Sequence, residues 1–188
     1  LYYLFPPFYL YKMKKLLSKL QKIDELKAAI TDNIGSQNTE QQHQNGVQES
    51  WSMIQVLSHL VTAENGVLAY IGKKMQDPSK IENNGLSGIF RSLLLSTLLK
   101  LPLKFKAPSA LPKPKNTETL ADLKANWKTN AVKFKAIIDN LPPNFEDKQI
   151  FKHPVAGKFN LEQTFDFIFD HMSHHLIQLE NISKSLKK

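Results

Sequence analysis

The segment DHMSHHL, residues 170–176, places two histidines four residues apart inside a long helical pattern. Residues at positions i and i+4 lie on one face of an α-helix, one turn apart, so His171 and His175 can reach a common point. Around them apolar residues recur in steps of four and three, which is the pattern of a helix that packs in a bundle. The stripe comprises Leu161, Phe165, Ile168, Met172, His175, Leu179, Ile182 and Leu186.

The two imidazoles allow a functional and a structural interpretation. An imidazole in an apolar stripe is costly unless its nitrogens are satisfied, and a metal ion satisfies two of them at once. The structural alternative is a surface histidine or a hydrogen-bonded core histidine, because the HxxxH spacing also arises by chance. Zinc sites normally recruit at least three protein ligands. The metal hypothesis therefore needs a third ligand from another helix.

The amino-acid composition limits the kinds of site that this chain can form. The chain has 188 residues, 41% of them apolar, which suits one soluble globular domain with a sizeable core. It contains no cysteine, which excludes disulfides, thiolate metal ligands and a cysteine nucleophile. Histidine and carboxylate remain as the good ligands for a transition metal. The net charge of +8 comes from dispersed lysines without a dense arginine-rich run, so we expect no nucleic-acid binding.

Residues 1–12 are predicted to be an N-terminal extension ahead of a domain over residues 13–188. They are rich in aromatic residues around Pro6 and Pro7, and a new helical pattern starts at Met13. The alternative is an aromatic arm that packs on the domain or on a partner. The segment has no basic region and no small-residue cleavage site, and it is too short to span a membrane. We therefore expect a cytoplasmic protein.

The rest of the chain reads as helices, with no convincing strand. A polar linker is predicted over residues 32–49 and an irregular loop over residues 142–159. Ser50 and Asn160 are the expected N-caps of the second and the last helix. The fold class is therefore all-α, an up-down four-helix bundle with an extra helix inserted between helices 2 and 3. The predicted helices span residues 13–31, 51–75, 86–101 (the insert), 116 or 119 to 141, and 160–186.

The insert, residues 86–115, is basic and amphipathic. It holds six lysine and arginine residues, and no acidic residue lies between Glu82 and Glu118. Three roles are open: a helix that covers a flank of the bundle, a lid over a metal site, or a membrane-surface contact. We favour the flank, and membrane contact is the least expected of the three.

His59 is the candidate third ligand. It lies in the middle of the second helix, beside the apolar stripe rather than in it, and borders the small residues Thr62, Ala63 and Gly66. These small side chains leave room next to the imidazole. The alternative is an exposed histidine beside ordinary helix contacts.

Three segments together resemble the DinB/YfiT-like superfamily. WSMIQVLSHL at residues 51–60, followed by Glu64, is similar to its second-helix signature. FKHPVAGKFNL at residues 151–161 resembles the segment that leads into its last helix. The closing histidines with Gln178 match its final pattern. The matches occur in family order between residues 13 and 186.

The resemblance implies a four-helix bundle with a divalent metal held by His59, His171 and His175. Three neutral imidazoles suit zinc or nickel, while copper and iron stay open. His174 points away from the stripe and is expected beside the site or at the surface. Glu64 and Asp170 are poor candidates for ligands, although either could orient an imidazole.

Relatives in this superfamily include metal-dependent transferases that use low-molecular-weight thiols, so the resemblance implies such an enzyme with a small-molecule substrate. A metal-dependent hydrolase is one alternative, and a non-catalytic metal- or ligand-binding stress-response protein is another. His153, in the loop before Pro154, is a candidate catalytic acid, base or substrate contact; alternatively its ring fixes the turn through a backbone hydrogen bond. The resemblance also makes a homodimer plausible.

Overall fold

The computed structural model describes residues 7–45, 51–83, 85, 90, 94–97, 113–143, 145 and 147–186. Its helices are α1 (Pro7–Gly35), α2 (Thr39–His43), α3 (Met53–Met75), α4 (Leu120–Asp139) and α5 (Leu161–Leu186). The strands β1 (Phe151–His153) and β2 (Gly157–Phe159) form an antiparallel hairpin. A short 3-10 turn, Pro78–Lys80, follows α3.

The four long helices form the predicted all-α bundle. Helices α1 and α3 each pack against both α4 and α5, which places α1 and α3 on one diagonal and α4 and α5 on the other. The predicted stripes face the interior: Phe165 and Leu179 of α5 are fully buried, as are Ile30 of α1 and Ile54 of α3. The helical periodicity therefore identified the core correctly.

The helix boundaries differ from the sequence prediction near the N-terminus. Helix α1 begins at Pro7, six residues before Met13, and the hydroxyl of Tyr9 donates to the carbonyl oxygen of Leu141 at 2.7 Å. The division into an extension and a domain stays a prediction, although residues 7–12 are helical here.

The linker prediction was wrong for residues 32–45, because this stretch contains the end of α1 and the short helix α2; residues 46–49 lie outside the described residues. Asn38 and Gln41 form a reciprocal capping box, in which each side chain bonds the other residue's backbone N–H. This pattern is a helix-start signal that the surrounding glutamines conceal. Helix α3 has the same kind of start, with Ser52 rather than Ser50 as its N-cap and Gln55 as the partner.

The expectation of no strand was also wrong. Phe151 pairs with Phe159, and both side chains are buried between the hairpin and the bundle. Gly157 has φ of 86°, a left-handed conformation that lets the chain turn back at the start of β2. The strands are only three residues long and Pro154 follows the first, so their alternation was too short to be recognised.

Most of the predicted insert helix lies outside the described residues. Within the insert, residues 94–97 are helical. Leu95 and Ser96 line a small cavity together with Phe167 and Asp170 of α5. This position suits both a flank cover and a lid, so the choice between them stays a prediction. None of the helices in the described ranges has the length and apolarity needed to cross a membrane.

Candidate metal centre

The histidine cluster lies between α3 and α5, which share a face of the bundle. The capping box of Ser52 and Gln55 fixes the start of α3 two turns before His59. At the start of α5, Asn160 and Gln163 form an equivalent box, which confirms Asn160 as the predicted cap. Both helices are thus anchored at the ends that precede their histidines.

The structure brings together His59, His171 and His175, the three candidate ligands. The Nε2 atom of His171 lies 3.2 Å from Nε2 of His59 and 3.2 Å from Nε2 of His175. One potential ligand atom from each ring lies within 4.8 Å of the other two. His59 and His175 are buried, with 6% and 9% of their surface exposed, whereas His171 is half-buried. Three imidazole nitrogens therefore converge at one point between the two helices.

This spacing fits a metal better than a hydrogen-bond network. Nitrogens bound to tetrahedral zinc at ~2.0–2.1 Å are separated by about 3.3 Å, which is close to the two observed distances of 3.2 Å. Without a metal, a proton on Nε2 of His171 can be donated to only one of its two neighbours. The remaining nitrogen lone pairs would then face each other inside the protein. A cation at the centre satisfies all three.

Gln178 fixes the tautomer of His175. It lies one turn further along α5, and its Oε1 is 2.8 Å from Nδ1 of His175. Because a carbonyl oxygen only accepts, Nδ1 carries the proton and Nε2 of the neutral ring presents its lone pair to the cluster. Such an outer hydrogen bond is the usual device that orients a metal-binding histidine.

Two aromatic residues border the cluster. The half-buried ring of Trp51 lies 5.1 Å from that of His59, at the N-terminal end of α3. Phe167 stacks on His171, with ring centroids 5.5 Å apart and planes inclined by only 15°. Together they form apolar walls on two sides of the three imidazoles.

Burial keeps these imidazoles neutral. It lowers the pKa of His59 to about 4 and that of His175 to about 3, the latter helped by the nearby His59. The pKa of His171 is lowered well below its ordinary value by burial and then by the neighbouring imidazoles. At neutral pH all three rings therefore offer lone pairs rather than protons, which is the state that binds a metal.

We expect the metal-free protein to lose stability as the pH falls from about 6.5 to about 4. Unfolded histidine is protonated below about 6.5, whereas folded His59 and His153 resist protonation until about pH 4. In this window the unfolded state binds more protons. Each such histidine lowers the free energy of unfolding by about 1.4 kcal/mol per pH unit of acidification. Urea unfolding of chelator-treated protein between pH 7.5 and 4.5 measures the slope.

A control variant separates the contribution of one histidine outside the cluster. His153→Gln removes one titrating group and should reduce that slope by about 1.4 kcal/mol per pH unit. A stability that stays flat between pH 6.5 and 4.5 in the original protein would contradict the expected burial effect.

His153 makes the backbone hydrogen bonds that fix the turn, which was the predicted alternative to a catalytic role. Its Nδ1 accepts hydrogen bonds from the backbone N–H groups of Val155 and Ala156, at 3.2 and 3.0 Å. Its ring contacts Phe167 edge-on, with centroids 4.6 Å apart, so Phe167 touches both His153 and His171. The catalytic assignment of His153 stays a prediction.

The other residues that the sequence analysis considered are not members of the three-histidine cluster. His174 is half-buried, with its ring 5.4 Å from that of His175. Glu64 does not orient an imidazole; its carboxylate lies 2.7 Å from Nζ of Lys27 and accepts from Asn130. Asp170 is buried beside the described part of the insert.

Sequence reasoning missed Lys27 and Phe167. Lys27 occupies the buried stripe of α1, between Ile23 and Ile30. The helical periodicity of the sequence already indicates this buried position. Phe167 lies four residues before His171, a spacing that brings two side chains together on one helix face. Both were therefore recognisable in principle from spacing alone.

Comparison with protein families gives a match over most of the chain. The family model described as the DinB superfamily matches residues 20–179. The matched range starts in α1, ends in α5 and contains all three clustered histidines. Searches of curated proteins and of solved structures found no match.

Proposed function

This chain belongs to the DinB superfamily, and on that premise we propose that it is a metalloprotein whose His59, His171 and His175 hold one divalent ion. The observation that carries the proposal is the convergence of three Nε2 atoms, with 3.2 Å between two of the pairs. Three neutral nitrogen donors without a thiolate favour zinc or nickel.

The proposed activity is transfer of a low-molecular-weight thiol. A divalent metal with three protein ligands and an open position lowers the pKa of a bound water or thiol toward neutrality. His171 and Trp51 are each partly exposed as residues, which is compatible with an open position beside the cluster. An open position would make this a ligand-exchanging site rather than a closed structural one.

The electrostatics of the cluster favour an anionic partner. Among the described residues, the group of potential ligands consists of three imidazoles and contains no carboxylate. A bound dication would keep its charge, because neutral imidazoles do not compensate it. A thiolate or a hydroxide would supply the missing negative charge. These are the nucleophiles of a thiol transferase and of a hydrolase respectively.

The transferase is our first choice on the strength of the resemblance, and the hydrolase is the nearest competitor. The non-catalytic alternative is a stress-response protein in which the metal serves recognition or structure. It predicts a closed site whose ligands do not exchange. The small-molecule thiol and the homodimer stay predictions.

We expect cobalt(II)-substituted protein to bind a thiol directly. Addition of a small thiol at neutral pH should produce a thiolate-to-cobalt charge-transfer band in the near ultraviolet and alter the visible ligand-field bands. An alcohol of the same size is the matched control and should leave both regions unchanged.

The outcomes distinguish the three functions. A saturable thiol band supports the transferase. If the thiol produces no band but the visible spectrum still changes with pH, hydroxide binds the metal. That result supports the hydrolase. A spectrum insensitive to both indicates a closed site, and the enzymatic proposal would then be rejected.

A further inference from the structure

We propose that Phe167 is a positioning residue for His171, and that the β1–β2 hairpin fixes this metal ligand through it. The inference rests on the proposed function, because it concerns a ligand of the proposed metal. It assigns a role to an aromatic side chain that carries no ligand atom itself.

His171 is oriented differently from His175. The ring of His175 is held by the hydrogen bond from its Nδ1 to Gln178. Among the described residues, the hydrogen-bonding partners found for the His171 ring are the two other imidazoles, both at Nε2. A metal ligand normally needs an outer contact that fixes its ring plane. For His171 the flat contact is the face of Phe167, inclined by 15°.

The two other imidazoles are inclined to the His171 ring and contact it at its Nε2 edge rather than on a face. The ring planes of His59 and His175 are inclined to it by 75° and 82°. Rotation of His171 about its side-chain bonds would turn Nε2 away from both. The stacked contact with Phe167 opposes that rotation, because the parallel overlap would be lost.

Phe167 is itself held by the hairpin. It stacks on Phe151 of β1, with centroids 6.1 Å apart and planes inclined by 16°. His153, two residues further along β1, contacts it edge-on. Phe151, Phe167 and His171 thus form a nearly parallel series of three rings from the hairpin to the cluster. The backbone hydrogen bonds of His153 keep the turn in place and so support the series.

The series also reaches α3. Tyr70 contacts Phe151 edge-on at 5.7 Å, and β1 packs against the helix that carries His59. The hairpin therefore contacts both metal-bearing helices. A disturbance of Phe167 should alter the geometry of the ligand set and not only the packing of α5.

The test compares Phe167→Leu and Phe167→Tyr with wild type and with Phe165→Leu. Leucine keeps apolar bulk but removes the flat ring, whereas tyrosine keeps the ring. Phe165 makes a matched control on the same helix: it is fully buried against Phe134, so its substitution lowers stability without removing a ring from the cluster. Zinc affinity is measured by competition with a chromophoric chelator, and geometry by the visible spectrum of the cobalt(II) form.

We expect zinc affinity to fall about tenfold or more in Phe167→Leu, as for other outer contacts of metal ligands. Its cobalt spectrum should shift, while Phe167→Tyr and Phe165→Leu stay close to wild type. Unchanged affinity and spectrum in Phe167→Leu would overturn the inference. So would an equal loss in Phe165→Leu, because that would reflect stability alone.

A measurement on metal-free protein separates this inference from the proposed function. With ¹³C-labelled histidine, wild type should give one sharp set of His171 ring signals, and Phe167→Leu should give broadened or multiple sets. Identical sharp signals in both would overturn the positioning role. If wild type binds no zinc, the proposed function fails, while the His171 signals still decide whether Phe167 orients the ring.

Discussion

Replacing His171 with alanine should abolish metal binding while the bundle stays folded. His171 is the central member of the cluster, since its Nε2 is the atom that lies 3.2 Å from both other nitrogens. Its loss leaves two imidazoles, fewer than the three protein ligands of ordinary zinc sites. We expect the metal content to fall from about one ion per chain to nearly none. Elemental analysis after reconstitution and desalting measures it, and circular dichroism verifies the fold.

His174→Ala is the matched control for this experiment. His174 lies on the same helix, and its ring neighbours that of His175. It is not one of the three clustered ligands, so this variant should retain its metal. An equal loss in His174→Ala would mean that the cluster is assigned to the wrong histidines. Wild type that cannot be loaded with zinc or nickel would reject the metalloprotein proposal.

The core of the bundle was predictable because helical periodicity is a local property. The stripe through Phe165, Met172 and Leu179 follows from residue spacing on one helix, and all three are buried. The pairing of His171 and His175 follows from the same geometry. By contrast, spacing only made His59 a candidate, and the family resemblance gave it the role of ligand. That it meets His171 depends on how α3 packs against α5, which no local pattern encodes.

The hairpin and the partner of Glu64 were missed because they depend on contacts between distant segments. The hairpin is stabilised by burying Phe151 and Phe159 against helices, since three-residue strands have little stability of their own. Glu64 was considered as a partner of an imidazole, but the structure pairs it with Lys27 of α1. A charged residue in an apolar stripe predicts that a buried partner exists, but it does not identify the partner residue. The packing of α1 against α4 and of α4 against α3 brings Lys27 and Glu64 together.

Replacing Glu64 with leucine should destabilise the protein by about 3–5 kcal/mol. The Nζ atom of Lys27 lies 2.7 Å from Oε1 of Glu64, and both side chains are almost fully buried. Asn130 also donates to this carboxylate, at 3.1 Å. Burial raises the pKa of Glu64, and Lys27 opposes that rise by favouring the charged form. Removing the carboxylate leaves a buried ammonium with Asp24 at 3.5 Å as its remaining acidic neighbour among the described residues.

A double variant tests whether the penalty comes from the unpaired charge. Lys27→Met combined with Glu64→Leu should recover most of the lost stability, because apolar side chains replace both charges in an apolar setting. Glu82→Leu is the control, since its ion pair with Lys158 is exposed at the surface and should contribute little. Urea unfolding at pH 7 compares the four proteins. If Glu64→Leu alone were as stable as wild type, the ion pair would not be buried in solution as it is in the structure. If instead the double variant were as unstable as Glu64→Leu, the loss would come from packing around Asn130 rather than from an unpaired lysine.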